Sequence, residues 1–434
     1  MCEILVTTEE FQDSPVGIIP KDWDFKALSE LADVDRGKFT YRPRNDPRLY
    51  GGSYPFIQTG DIASASGGIL TTYSQTLNER GISVSRQFPI GTIAITIAAN
   101  IADSAILGIP MYFPDSVVGA VVKKPNSIRY VELCIHRAKP KLEARAPQSA
   151  QKNINLEDLR PLLIPVPSTE EQQKIAEIID TIDKAIALTD THITKLKKAK
   201  AGLLHDLITR GIDEHGELRD PTRNPEQFKR SALGIIPKDW DVCPIEDKLK
   251  KIIDYRGKTP EKVESGIPLI TAKNVRKGFI DPEPREYIEE KSYQLWMTRG
   301  IPQDKDVLFT TEAPLGNVSL IPNYKIALAQ RLLTLCTDKT QLNSDYLIWL
   351  LLLPASKRRL EQNSTGSTVL GIKQSVFRKI RFQFPQLHEQ EVIASLMNTH
   401  EKRIQSKKVY LEKLQLLKKG LMSDLLTGRV RVKI

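Results

Sequence analysis

Two stretches of the chain carry apolar residues at alternating steps of four and three. The first runs Ile175, Ile179, Ile182, Ile186, Thr189, Ile193, Leu196, Lys200, Leu203, Leu207. Moved on by 218 residues, the same stripe reads Ile393, Met397, His400, Ile404, Lys407, Leu411, Leu414, Lys418, Leu421, Leu425. A mean spacing of about 3.5 residues, sustained this long, predicts two helices of about 40 residues and roughly 60 Å whose apolar seams pair as a coiled coil. A helix packed only on its own domain is the alternative, but one this long outruns a globule of about 150 residues. Ser168-Thr169-Glu170-Glu171, after Pro167, has the hydroxyl-then-acid spacing of a capping box, and Glu170-Glu171 suits the positive end of a helix. Gly211 and Gly428 stand where the helices should stop.

Elsewhere the period falls towards two. Ile90 to Ile97 alternates apolar and small or polar residues, Asp306 to Thr311 is its counterpart, and Val117 to Val122 and Ile326 to Cys336 read as later strands. Glycine and proline punctuation is dense between them, so each interior is expected to be a mixed α/β domain of about 140–150 residues.

The two stripes belong to a longer duplication, the first thing to seek in any chain. Gly17-Ile18-Ile19-Pro20-Lys21-Asp22-Trp23-Asp24 recurs letter for letter as Gly234-Ile235-Ile236-Pro237-Lys238-Asp239-Trp240-Asp241, 217 residues on in a chain of 434. Val34-Asp35-Arg36-Gly37-Lys38 parallels Asp254-Tyr255-Arg256-Gly257-Lys258, and Tyr54 to Ile62 resembles Ile267 to Val275. Between 64 and 160, and between 276 and 375, similarity nearly vanishes; it returns as the helices begin. The implied layout is a divergent domain over 1–166, a long helix over 167–211 and an extended, polar linker over 212–230 holding Pro221 and Pro225. A second divergent domain follows over 231–384, then a second helix over 385–428 and a tail over 429–434. The expected fold is α+β, with the helices paired antiparallel and the halves related by a pseudo-two-fold axis. Duplex DNA has local two-fold symmetry as well, so such a molecule would approach both strands in equivalent ways.

Composition narrows the partner. The formal net charge is +10, which favours a polyanion such as nucleic acid. The four cysteines, Cys2, Cys134, Cys243 and Cys336, are far apart and form no CxxC pair, so a zinc ribbon or dithiol redox motif is excluded. The N-terminus lacks a signal-peptide pattern and the longest apolar run, Tyr346 to Leu353, is too short for a bilayer; a cytoplasmic protein without membrane attachment is expected.

No catalytic set stands out. Glycine-rich cofactor and phosphate loops are missing, as is the Asn/Asp-Pro-Pro-aromatic motif of amino-methyltransferases. The six histidines are scattered. A metal-dependent nuclease can be drawn on Asp281, Glu289, Glu290 and Lys291, and a coiled-coil scaffold with incidental charge is a third reading. The DNA-contact signal is richer. Arg36, Lys38, Tyr41, Arg42 and Arg44 form a basic loop with an aromatic, matched by Arg256, Lys258 and Thr259; the intervening glycine would let backbone approach a phosphate. Gln58, Thr59, Lys273, Asn274, Arg276 and Lys277 follow short apolar strands, where side chains could reach base edges. Ser367 and Thr368 lie in a hydroxyl-rich stretch suited to phosphate contacts.

The set of motifs, twice over and in order, resembles the specificity subunits of type I restriction–modification systems. Its carriers are Gly-Ile-Ile-Pro-Lys-Asp-Trp opening each half, Arg-Gly-Lys after the first strand, Pro-x-x-x-Glu-Gln at Pro167–Gln172 and Pro385–Gln390, and the helix endings Gly202–Leu207 and Gly420–Gly428. The resemblance implies two target-recognition domains, each reading one half of a bipartite double-stranded DNA site. It implies docking of two methyltransferase subunits, joined by restriction–translocase subunits. Catalysis would belong to those partners, which would hold S-adenosylmethionine, ATP and magnesium, with no cofactor or metal in this chain. One departure is Leu328-Ala329-Gln330-Arg331, opposite which the first half offers Val118-Gly119-Ala120-Val121.

Overall fold

Both apolar stripes form continuous helices, Thr169–Thr209 and Leu387–Leu425. Every apolar seam position, from Ile175 to Leu207 and from Ile393 to Leu425, is buried or half-buried. The computed structural model describes residues 4–5, 10–65, 67–98, 100–145, 153–255 and 260–434. The chain divides into two units, residues 1–190 with 410–434, and residues 191–409. Each unit therefore holds the start of one long helix and the end of the other. Within unit 1, Lys418 pairs with Asp183 at 2.6 Å; within unit 2, Lys200 pairs with Glu401 at 2.6 Å.

Unit 1 is built on a sheet whose strands run in the order Ala32–Arg36, Val117–Val122, Ile93–Thr96, Ser104–Leu107, Ile69–Leu70. The central strand Ile93–Thr96 is buried along its whole length, which explains its unbroken run of small and β-branched residues. Helix Ile128–Arg145 covers the sheet, and its Tyr130, Val131, Leu133 and Ile135 join Ile93, Ile95 and Val118 in one core with Ile175 and Ile179 of the long helix. Unit 2 repeats the order with Leu249–Asp254, Leu332–Thr337, Val307–Thr310 and Val318–Leu320, covered by helix Ser344–Leu352. Tyr130 and Tyr346 both donate their hydroxyls to a backbone carbonyl of the strand preceding the long helix, Pro165 at 3.0 Å and Gln383 at 3.2 Å.

Two strands differ from their expected extents. The strand expected from Ile90 begins at Ile93, because Gly91 turns with φ +82°. The strand expected over Ile326 to Cys336 is two, Ala327–Leu328 and Leu332–Thr337, broken where Arg331 takes φ +71°. The expected extended linker is folded into unit 2: Asp213 N–H donates to the Glu217 carbonyl at 2.8 Å, and Ile212 bridges Leu218.

The repeated octapeptide is a fastening, and it is made the same way in both units. In unit 1 the Trp23 ring is buried and its indole N–H donates to Glu171 at 3.1 Å. Arg431 donates to the same carboxylate at 2.8 Å and to Asp22 at 2.8 Å. In unit 2 Trp240 donates to Glu389 at 3.0 Å, and Arg219 joins Glu389 at 2.9 Å to Asp239 at 3.0 Å. A buried carboxylate is costly without partners, and here it gains an indole and a guanidinium. Burial still pushes the Glu389 carboxyl above its ordinary range, against the Ile212 N–H, Arg219 and Trp240. Glu171 thus differs from the capping-box expectation: Ser168 Oγ accepts from its N–H at 3.2 Å, but its side chain turns to Trp23. The following glutamines serve as clips. Gln172 accepts from Ser127 N–H and Gln390 from Asn343 N–H, each at 2.9 Å, tying each long helix to the start of its unit's covering helix.

The glycines after the helices complete the fastening. Gly211 (φ +66°) and Gly428 (φ +69°) are left-handed, and a Cβ at Gly211 would lie 2.6 Å from the Trp240 ring, at Gly428 2.4 Å from Pro20. Only glycine combines that backbone with that closeness.

Candidate nucleic-acid interface

The divergent interiors share one loop that sequence comparison misses. The chain between Thr96 and Ser104, and between Thr310 and Val318, folds back through the same bonds. Thr96 Oγ1 donates to the Asn100 carbonyl and accepts from Asp103 N–H at 3.1 Å; Thr310 Oγ1 donates to the Pro314 carbonyl at 2.5 Å and accepts from Asn317 N–H at 2.9 Å. Ala102 N–H returns to the Thr96 carbonyl at 2.8 Å and Gly316 N–H to Thr310 at 2.9 Å. A buried threonine at the start and an Asp or Asn at the end suffice for the cage, so the residues between vary freely. Beside this loop the register places Thr96 opposite Val117 and Thr310 opposite Leu332. The counterpart of Ala329-Gln330-Arg331 is therefore Pro114-Asp115-Ser116, not the Val118–Val121 segment expected from the sequence.

In unit 1 that corner gathers the basic loop. Arg42 and Arg44 both donate to Asp115 Oδ2, at 3.2 and 2.6 Å, while Arg36 bonds the Asp115 carbonyl. Asp115 Oδ1 is buried with no hydrogen-bond partner among the described residues. Gly37 has a different reason from the one expected: a Cβ there would sit 2.1 Å from the Pro114 carbonyl, so the glycine lets the strand pass Phe113–Pro114 rather than a phosphate. Lys38 is exposed. Tyr41 accepts from Arg48 at 2.8 Å, and Arg48 in turn holds the Asp46 carboxyl well below the usual carboxylate range. Arg44, Asn45, Gln58, Gln75 and Ser116 line a cleft of about 330 Å³ with Phe39 and Phe56 among its walls. Gln58 donates to Gln75 at 3.1 Å, and Thr59 opens the short helix Thr59–Ala65 beside it.

In unit 2 the corner residue Arg331 stands between two clefts. One, of about 410 Å³, is lined by Glu312, Gln330, Arg331, Thr365 and Lys373; the other, of about 280 Å³, by Lys262, Thr271, Lys273, Glu286, Gln330 and Arg331. Arg331 Nε pairs with Glu312 at 2.7 Å, both groups partly open to solvent. A non-glycine residue held left-handed beside a cleft costs on the order of 1–3 kcal/mol and marks a position that the fold maintains. Ser367 and Thr368 are exposed in a loop closed by mutual bonds between Thr365 and Gly371 at 2.8 and 2.9 Å. Lys277 is exposed, and Arg276 is committed to Asp281 at 3.1 Å. Asn274 belongs to the turn rather than the cleft: it is buried and bonds Thr271 N–H, the Asp281 carbonyl and the Pro284 carbonyl. Arg256, Lys258 and Thr259 lie outside the described residues.

Of the carboxylates from which a nuclease could be drawn, Asp281 is paired with Arg276 and Glu290 with Lys325, while Glu289 and Lys291 lie 3.7 Å apart at the exposed surface. Among the described residues no three His, Cys, Asp or Glu side chains stand together to hold a metal ion. Residues missed in the sequence are Asp115, Gln75, Glu312, Gln330 as a cleft residue, Arg331 and Lys373. Their only signal is register, which places them at the cleft.

The family model of the type I restriction modification DNA specificity domain matches residues 20–198 and 237–416. The putative type I restriction enzyme MjaX specificity subunit of Methanocaldococcus jannaschii is 27% identical over 98% of this chain and 97% of its own length. The MjaVIII specificity subunit of the same organism is 30% identical over 62% of each chain. Among solved structures, the type I restriction–modification S subunit from M. genitalium has a TM-score of 0.56 at 14% identity, covering 93% of this chain and 96% of that one. A chain from a structure describing complex assembly and conformational transition of the type I R-M system has a TM-score of 0.58 at 14% identity, covering 95% and 99%. The structural likeness is one of fold.

Proposed function

The chain belongs to the type I restriction modification DNA specificity family and is the specificity subunit of such a system; from this premise we propose that each unit reads one half of a bipartite DNA site through its cleft corner. The observation that supports this is a contrast. The Trp–Glu–Arg fastenings are the same in both units, whereas the clefts present Arg44, Asn45 and Gln75 in one and Gln330, Arg331 and Lys373 in the other. A shared frame with unlike polar linings suits two readers of different base sequences. Arg42, Arg44, Lys38, Lys273, Lys277 and Lys373 supply phosphate contacts and Gln58, Gln330, Arg331, Ser367 and Thr368 are placed for finer readout.

The long helices pair antiparallel as a coiled coil, and its length sets the gap between half-sites. Lys418–Asp183 and Lys200–Glu401 favour that pairing. Two methyltransferase subunits dock on this frame and restriction–translocase subunits join them. Ile18 and Ile235 bear on that stoichiometry: the same apolar residue is 62% and 61% exposed in the two copies. Solvent gives no reason to keep an isoleucine twice, whereas a partner present in two copies does. Catalysis, S-adenosylmethionine, ATP and magnesium belong to those partners, and the assembly works in the cytoplasm. No described helix is long and apolar enough to cross a membrane.

Footprinting of the chain assembled with methyltransferase subunits tests the reading. Two separated protected patches are expected. One continuous, sequence-independent footprint would sink it.

A further inference from the structure

Each unit fixes its covering helix to its long helix by a polar cluster, and the two clusters are built at matching positions. Tyr130 and Tyr346 occupy the same place, as do the Ser127–Gln172 and Asn343–Gln390 clips, so Arg129 corresponds to Asp345 and Asp180 to Asn398. In unit 1 Arg129 donates to Asp180 at 2.7 Å and to Asp183 at 2.6 Å, and pairs with the buried Glu132. In unit 2 Asn398 donates to Asp345 at 2.9 Å and accepts from the Trp349 indole at 2.9 Å. The outer pair is alike in both: Asp183 with Lys418, Glu401 with Lys200. What differs is the inner pair, cation on acid in one unit and acid on amide in the other.

We propose that this inner pair is a positional key that admits each recognition domain to its own place in the chain and thereby fixes the order in which the half-sites are read. The key is asymmetric. Domain one moved to place two would set Arg129 against the Asn398 amide with Glu401 nearby, which satisfies it. Domain two moved to place one would set Asp345 against Asp180 and Asp183, the two acids that Arg129 bonds there, whose side chains are 43% and 29% exposed. Like charges directly opposed there are unfavourable even in part contact with solvent, and Lys418 beside Asp183 offsets only one of them. The stability arm below does not depend on the reading of the domains as DNA readers; only the half-site order rests on it.

The test is a cycle in the full chain. Asn398→Asp imports the acid of place one opposite Asp345 and is expected to lower the melting of unit 2 by about 5 °C or more. Adding Asp345→Arg, which rebuilds the cation-on-acid pair, is expected to recover most of that loss, although Asp345→Arg alone brings no gain. A second arm exchanges whole domains. A chain in which residues 241–384 replace 24–166 should melt below the reciprocal chain, and Asp180→Asn should raise its melting while lowering that of the native chain. The change of sign is the readout, since a merely structural Asp180 would act in one direction. Absence of recovery in the double variant, or Asp180→Asn acting with the same sign in both chains, overturns the proposal. If melting behaves as expected but footprints of the exchanged chains do not change, the key stands and the reading of DNA by these domains fails.

Discussion

Replacing Gly211 by alanine isolates how much the Trp240 fastening contributes. The residue is left-handed at φ +66°, which costs an L-residue roughly 1–2 kcal/mol. A new Cβ would stand 2.2 Å from Glu389 Oε1, 2.6 Å from Arg219 Nη1 and 2.6 Å from the Trp240 ring. Side-chain ends can often swing away, but Glu389 Oε1 is held by Ile212 N–H at 2.8 Å and by Arg219, and the Trp240 ring is fully buried. Overpacking of this kind adds about 1–3 kcal/mol, while the loss of glycine freedom in the unfolded chain returns about 0.4–1 kcal/mol. The net expectation is about 2–4 kcal/mol. Gly216 is the internal control: it is also left-handed, at φ +79°, with nothing within 4 Å of its Cβ position, so its alanine variant should cost about 1 kcal/mol or less. Calorimetry of the full chain reads the difference as roughly 4–10 °C on the transition of unit 2. Gly428→Ala should do the same to unit 1 through Pro20. Equal shifts for the Gly211 and Gly216 variants would refute the packing argument and leave backbone strain alone.

Other perturbations separate fold from readout. Thr310→Val keeps the shape at the loop entrance but removes the hydroxyl that accepts from Asn317 N–H; about 1–3 kcal/mol should be lost, and discrimination between DNA sequences should fall further than bulk affinity in competition binding. Asp115→Asn should release Arg42 and Arg44 from their shared carboxylate, so that binding to non-target DNA tightens and its salt dependence steepens by one to two phosphate contacts' worth; an unchanged slope would show that these arginines do not face DNA. Burial raises the Glu132 carboxyl to about 7, against Arg129 and Ser104. A raised carboxyl holds its proton more tightly in the folded state, so its contribution is full below the unfolded value near 4.5 and is lost as pH rises through 7. Glu132→Gln should therefore compare best with the native chain at pH 8, by on the order of 3 kcal/mol at most, and lose its advantage by pH 5 in urea denaturation.

The frame could be read from the sequence and the clefts could not, for physical reasons. A seam at 3.5-residue spacing is decided by burial along one face, which is a local property of the pattern, so Ile175 to Leu207 could be picked out directly. The octapeptide could be recognised as a frame element because it is repeated, but the partners of Trp23 are Glu171, 148 residues on, and the Arg431 guanidinium over its ring, which no spacing rule connects. Glu171 illustrates the limit: its position suggests helix capping, and tertiary packing gives it an indole instead. The threonine cage is smaller still, a single hydroxyl with two backbone partners, and survives near-total divergence around it. Arg331 and Asp115 fall at the cleft only because Leu332 and Val117 pair where they do, and the left-handed turn at Arg331 leaves no mark in composition. Asn274 and Gly37 err the other way. A polar or flexible residue after a strand suggests contact with a ligand, yet each is used up by the chain's own backbone.

The discontinuity of unit 1 has a consequence for synthesis. A ribosome releases residues in order, and domains generally close when their last piece emerges. Unit 2 is complete at Val409, whereas unit 1, begun earlier, lacks residues 410–434 until unit 2 has been made. Through all that interval the Trp23 ring has no Gly428 against it and Glu171 has no Arg431. The earlier-made of the two units is therefore the one sealed later, and residues 410–434 act as its closing bolt.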